Sequence, residues 1–242
     1  MTAYLWLDGI RSMTLQGVAA RHGSSTGYVA INEPHGTVGA PLLSEALPES
    51  RLVLLVRDPR DVVASQFDAQ REGGWSISRR NRDPRDTADT RPDFFPTTAK
   101  EYLWNLEHAS EAFKHHEGPK AIVRYEDLRA DTHAELRRLR DELSLDVDDG
   151  GLAAVVEAHQ WSSVPEEKKG PGQFHRKASP GSWKDDLSAD QIRIVEQTCA
   201  PVLSAFYNGK LDLTRLESGE RKRVQSARVL WERLLFATGR AQ

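Results

Sequence analysis

The stretch RLVLLVRDPRDVVAS, residues 51–65, decides how the chain is read. An apolar run from Leu52 to Val56 stops at Arg57-Asp58-Pro59-Arg60-Asp61, and a helical pattern starts at once. A short continuous apolar run suits a strand buried on both faces of a parallel sheet. Asp58 is a good N-cap, because its carboxylate can accept from the free N–H groups of the first turn. Pro59 suits the first helical position, where a missing N–H costs nothing. The segment therefore predicts a strand over 51–56 that turns directly into a helix running to about Arg71.

In open α/β sheets, ligands bind beyond the carboxyl ends of the strands, and Arg57 stands at such an end. The following helix points free N–H groups and the positive end of its dipole into the same space. Ser65 is seven residues beyond Asp58, about two turns, so it returns to that face. A guanidinium fork, a hydroxyl and a helix N-terminus together suit a phosphate. The same residues would also serve as a surface ion-pair cluster, with Asp58 and Asp61 paired to Arg57 and Arg60.

Around this elbow the chain alternates strands and helices. Helices are predicted over 3–21, 40–47, 97–117, 131–143, 150–159 and 188–207, and further strands over 28–32 and 120–125. The last of these helices opens on Ser188-Ala-Asp-Gln191, a capping-box pattern. The region 73–96, rich in Gly, Arg, Asp and Pro, reads as a long flexible loop; Trp75, Phe94 and Phe95 are candidate walls of an acceptor pocket. A basic loop with Gly and Pro covers 165–182. The end of the chain, 208–242, reads as a helical extension with an amphipathic helix over 219–238, packed rather than membrane-bound. The sum is an α/β fold with a mainly parallel sheet and helices on both faces, in a single domain over 1–242.

The totals narrow the function. The chain has 242 residues, 38% hydrophobic, and a net charge of −3, so its bulk electrostatics point to neither nucleic acid nor membrane. Its single cysteine, Cys199, rules out an internal disulfide and fits a cytoplasmic protein. No apolar run is long enough to span a bilayer, and no metal-ligand pattern is present.

Two further segments join the elbow. RKASPGSWK (176–184) sets Arg176, Lys177 and Lys184 around a Pro-Gly turn, and RYEDL (124–128) ends a strand on Tyr125, whose ring suits a nucleobase. In this order the three segments resemble the sulfotransferases that use 3′-phosphoadenosine 5′-phosphosulfate, whose sheet resembles that of the P-loop hydrolases. The resemblance covers about 30–207. It implies that Arg57 and Ser65, eight apart, grip the nucleotide 3′-phosphate, that Tyr125 lies near the adenine, and that Arg176 and Lys177 stand for the family's Arg-Lys-Gly. Ala178 replaces that glycine, which weakens a close backbone approach. EPHGTVGAPLL (33–43) with the other segments looks closer to bacterial and carbohydrate-type members than to the animal cytosolic enzymes. The acceptor is then a small molecule or carbohydrate bearing a hydroxyl or amine. His35 is the first choice for the base that takes the acceptor proton and Glu33 the second.

The loop that cradles the 5′-phosphosulfate in this family is not found. HGSSTG (22–27) has the composition but precedes a strand instead of linking a strand to a helix. The expectation is that the chain lacks the N-terminal strand and loop, and that this form has little or no turnover. The rival reading is a degenerate or truncated relative that holds the desulfated nucleotide. A nucleotide kinase is disfavoured, because no G-x-x-x-x-G-K-[ST] is present.

Overall fold

The computed structural model describes residues 2–22, 27–32, 37–80 and 87–216. Most of this is helix. The first elements are α1 (Thr2–His22), α2 (Ala40–Ala46), β1 (Leu52–Val56), α3 (Pro59–Gln70), α4 (Trp75–Arg80) and α5 (Phe94–His115). They are followed by β2 (Lys120–Arg124), α6 (Tyr125–Ala130), α7 (Thr132–Glu142), α8 (Asp149–Ala158), α9 (Trp183–Asp186), α10 (Ala189–Thr198) and α11 (Ala200–Phe206). β1 and β2 are hydrogen-bonded neighbours in a small parallel sheet, the two strands found among the described residues. A parallel pair needs a crossover connection, and the helices α3 to α5 supply it.

The predicted elements hold with four corrections. Residues 28–32 form no strand: they run without a ladder, and Tyr28, Val29 and Ile31 are exposed. Strand-like composition forms a strand only where a neighbour takes its N–H and C=O groups. β1 is not buried on both faces either: Leu54 and Val56 are buried, whereas Val53 and Leu55 are exposed, so with two strands the apolar run alternates. Residues 73–96 are not all loop, since α4 and the start of α5 occupy part of them; Phe94 is a core residue packed edge-on to Phe67 with ring centroids 5.6 Å apart. The single helix expected over 188–207 is two, broken at Cys199. Pro201 has no N–H for the carbonyl four residues back, and its ring crowds that turn.

The chain divides into two compact units. In the first (residues up to 54 with 105–120), Arg11 holds Glu49 and the Ala46 carbonyl. His116 is buried between the Ser44 hydroxyl and the Ser50 carbonyl, both at 2.8 Å. The Lys120 ammonium donates to the carbonyls of Phe113, Lys114 and His116, closing the C-terminal end of α5. The second unit (55–104 with 121–217) carries the elbow, the basic loop and a core of Val56, Val63, Val123, Val195, Val202 and Phe206. Among the described residues no helix is long and apolar enough to cross a membrane. The amphipathic segment 219–238 lies outside the described residues.

Candidate functional site

The elbow after β1 is built as its residues dictate. The Asp58 carboxylate accepts from the Arg60 N–H at 2.8 Å and caps α3, with Pro59 in the first turn. The Asp58 N–H donates to Glu126 Oε1 at 2.9 Å, and the Tyr207 hydroxyl donates to Glu126 Oε2 at 2.9 Å. The Tyr102 hydroxyl fixes the backbone of Arg57, accepting from its N–H at 3.2 Å and donating to its carbonyl at 2.6 Å. Burial pushes both phenols above their ordinary pKa, so they stay neutral and keep donating. Burial also pushes the Cys199 thiol up to about 12, and its Sγ contacts the Ala99 carbonyl, so it is a packing group.

The four charges of the elbow take different partners. Arg60 forks onto Asp58 at 2.6 and 2.9 Å, reaches Glu196 at 2.7 Å, and lies 4.0 Å above the Trp183 ring. Asp61, fully buried, accepts from the backbone N–H groups of Gly181 at 2.6 Å and Trp183 at 3.1 Å. Arg57 takes no carboxylate among the described residues. Its Nε is buried without a hydrogen-bond partner, and its guanidinium stands over the Tyr125 ring, 4.5 Å from the centroid. The ion-pair reading therefore describes Arg60, which meets two carboxylates, and does not describe Arg57, which meets none among the described residues. A buried, unsatisfied guanidinium N–H at a strand end is a group that an oxyanion would satisfy.

Arg57, Ser65, Tyr125, Arg176 and Lys177 all line one cleft in the second unit. Trp161, Phe174, His175 and Ser179 line it too. The sequence reading missed these four. His175 was legible as the neighbour of Arg176, but Trp161 opens a three-residue 3-10 turn and Phe174 sits in irregular chain, both too short of regular structure for periodicity to mark a facing side. Phe174 meets Trp75 and His175 edge-on, with centroids 5.2 and 5.1 Å apart. Tyr125 is the first residue of α6 rather than the last of β2, which aims it beyond the strand end.

Arg176 and Lys177 share one counter-charge, with Asp186 2.6 Å from Arg176 and 2.7 Å from Lys177. Burial opposes the ionised form of Asp186, but the hydrogen bonds from Lys177 and Arg176 outweigh it and hold the carboxyl below its usual range. Two cations on one carboxylate leave the loop net positive, and Arg57 adds a further unpaired charge.

Ala178 sits at the glycine-like position of this loop with φ +51, and Arg129 donates to its carbonyl at 3.1 Å. This left-handed conformation costs a residue with a Cβ about 1–2 kcal/mol. Glycine removes that cost but loses about 0.4–1 kcal/mol through the freer unfolded chain. Ala178→Gly is accordingly expected to raise the melting temperature by about 2–4 °C for each net kcal/mol. Thermal unfolding followed by circular dichroism checks this, and a lowered melting temperature would show that the loop carries no strain at Ala178.

Glu33 and His35 lie outside the described residues, as do most of HGSSTG and residues 81–86. Among the described residues no group of His, Cys, Asp and Glu is arranged to hold a metal ion.

Comparison with known proteins gives two findings. The model of the sulfotransferase family matches residues 4–149, a span that includes Arg57, Ser65 and Tyr125 and stops short of Arg176 and Lys177. The chain is also similar to the crystal structure of retinol dehydratase in complex with androsterone and inactive cofactor PAP, at 20% identity and a TM-score of 0.44. That likeness covers 63% of this chain and 47% of the other, so the chain spans less than half the length of that protein. No curated protein matches the chain.

Proposed function

The chain belongs to the sulfotransferase family, and we propose that it moves a sulfuryl group from 3′-phosphoadenosine 5′-phosphosulfate to a hydroxyl or amine of a small-molecule or carbohydrate acceptor. The observation that carries this reading is Arg57: an unpartnered guanidinium Nε at the end of a strand, in one cleft with Ser65 and the basic loop. Arg57 and Ser65 hold the 3′-phosphate, Arg176 and Lys177 add charge to the same nucleotide, and Tyr125 with Trp161 flank its base. In transfer the acceptor oxygen bonds to sulfur, the sulfur–oxygen bond to the 5′-phosphate breaks, and the bisphosphate leaves. The acceptor proton goes to His35, with Glu33 second. Such a reaction asks for positioning and charge stabilisation and no metal. The bacterial and carbohydrate-type character rests on residues 33–43 beside the two nucleotide segments, and a cytoplasmic place of action on the single, buried, unpaired Cys199.

The reading is tested by calorimetric titration. Adenosine 3′,5′-bisphosphate is expected to bind at least about tenfold more tightly than adenosine 5′-phosphate, the scale of one charge-assisted contact. Equal affinity would refute the 3′-phosphate assignment. Transfer of radiolabelled sulfate tests turnover. A second reading, nucleotide binding without turnover, is favoured by one observation: among the described residues upstream of β1 there is no strand, and so no strand-to-helix loop of N–H donors for the 5′-phosphosulfate. Binding without measurable transfer would decide for it.

A further inference from the structure

Asp61, Ser65 and Asp68 are spaced four and three residues apart on α3, which puts them on one face of the helix. The two aspartates are buried, and both accept from the same distant segment. Asp61 Oδ2 takes the Gly181 N–H at 2.6 Å, Oδ1 takes the Trp183 N–H at 3.1 Å, and the Ser182 hydroxyl stands 3.4 Å from Oδ1. Asp68 Oδ2 takes the Gly172 N–H at 2.8 Å, while Oδ1 meets Arg71 at 2.9 Å. Gly172 returns its carbonyl to the Trp75 N–H at 2.9 Å and holds φ +73. A β-carbon there would meet the Gly73 carbonyl oxygen at 3.3 Å, so the loop lies close against the end of α3.

We propose that Asp61 and Asp68 are positioning residues: two buried carboxylates of α3 draw residues 172–183 across the helix and thereby hold Arg176 and Lys177 over Ser65 and Arg57. This rests on reading the cleft as the nucleotide site. Asp61 is the stronger anchor. It is fully buried and forms no ion pair among the described residues, where its charge is met by backbone N–H groups and one hydroxyl. Carrying an ionised carboxylate into the interior is unfavourable unless donors converge on it, and here the donors come from the turn that follows the two cations. The bonds within and beside the segment are local: Gln173 N–H to the Gly170 carbonyl, Gly170 N–H to the His175 carbonyl, Arg176 to the Ser182 hydroxyl and the Ser179 hydroxyl to the Lys177 carbonyl. Asp186 holds the two cations and Arg129 the Ala178 carbonyl, while the two ends of the segment are held from α3.

The test uses Asp61→Asn in the full chain. An amide in place of the carboxylate turns one acceptor into an N–H₂ group, so in either orientation one backbone N–H loses its partner at unchanged volume. Hydrogen exchange of peptides covering 172–184 is expected to speed up at least about tenfold while α10 and α11 keep their protection. Affinity for adenosine 3′,5′-bisphosphate is expected to fall about tenfold or more, and that for adenosine 5′-phosphate much less, because the loop cations serve the second phosphate. General destabilisation would lower both affinities alike and would overturn the proposal, as would unchanged exchange in 172–184 or unchanged bisphosphate affinity. If wild type binds neither nucleotide, the reading of the cleft fails, and the exchange result still decides whether Asp61 anchors the loop. If Asp61→Asn does not fold, Asp68→Asn, which frees the other end at Gly172, is judged on the same measurements.

Discussion

Replacing Arg57 with alanine is expected to weaken binding of adenosine 3′,5′-bisphosphate by about 1.5–3 kcal/mol, the range of a hydrogen bond to a charged group. That is roughly a ten- to hundredfold rise in Kd. The expectation follows from how the side chain is held. Tyr102 pins the backbone of Arg57 from both sides, and the Tyr125 ring supports the guanidinium at 4.5 Å. Little ordering remains to be done when an anion arrives, so little of the contact energy is lost to fixing the side chain. Removing the guanidinium also relieves a buried, unpartnered Nε–H, so the variant should fold at least as well as wild type. Loss of binding with retained stability is thus the diagnostic pair. Ser65→Ala removes one neutral donor and should cost less, about 0.5–1.5 kcal/mol. Calorimetry on the two variants decides. An Arg57→Ala protein that binds the bisphosphate as wild type does would move the 3′-phosphate away from this elbow.

The elbow was legible because every feature of it is local. An apolar run, an Asp cap, a Pro in the first turn and a hydroxyl two turns on are all visible within fifteen residues, and the structure forms each of them. The capping box at Ser188 and Gln191 is legible for the same reason, and both of its bonds are present. What the sequence hides is the partner of each charge. Asp61 and Asp58 look alike on paper, yet one caps its own helix and the other holds a turn 120 residues away. Arg57 and Arg60 are equally alike, and only the fold sends Arg60 to two carboxylates and leaves Arg57 with none among the described residues. The residues that flank the cleft from 161–175 were missed because short 3-10 turns and irregular chain have no period long enough to betray a facing side. The strand expected over 28–32 failed for the opposite reason: its composition is strand-like, but strand formation needs a neighbour, and composition does not supply one.

In a form of the protein that transfers sulfate, His35→Ala is expected to lower turnover about a hundredfold or more while leaving bisphosphate binding near the wild-type value. The acceptor hydroxyl must lose its proton as its oxygen closes on sulfur, and a neutral imidazole can take that proton near neutral pH. His35 is assigned to the acceptor proton and to neither phosphate of the nucleotide, so its removal should spare nucleotide affinity. A drop in kcat with unchanged Kd for the bisphosphate separates a base from a binding residue. Glu33→Gln is the discriminating control. It keeps the size and removes the basicity, and it should change turnover far less than His35→Ala. If Glu33→Gln abolishes turnover while His35→Ala leaves it intact, the base is Glu33. The pH profile supplies an independent check: with a histidine base, kcat should fall toward acid as the imidazole takes a proton from solvent. A carboxylate base would keep its rate to lower pH before falling.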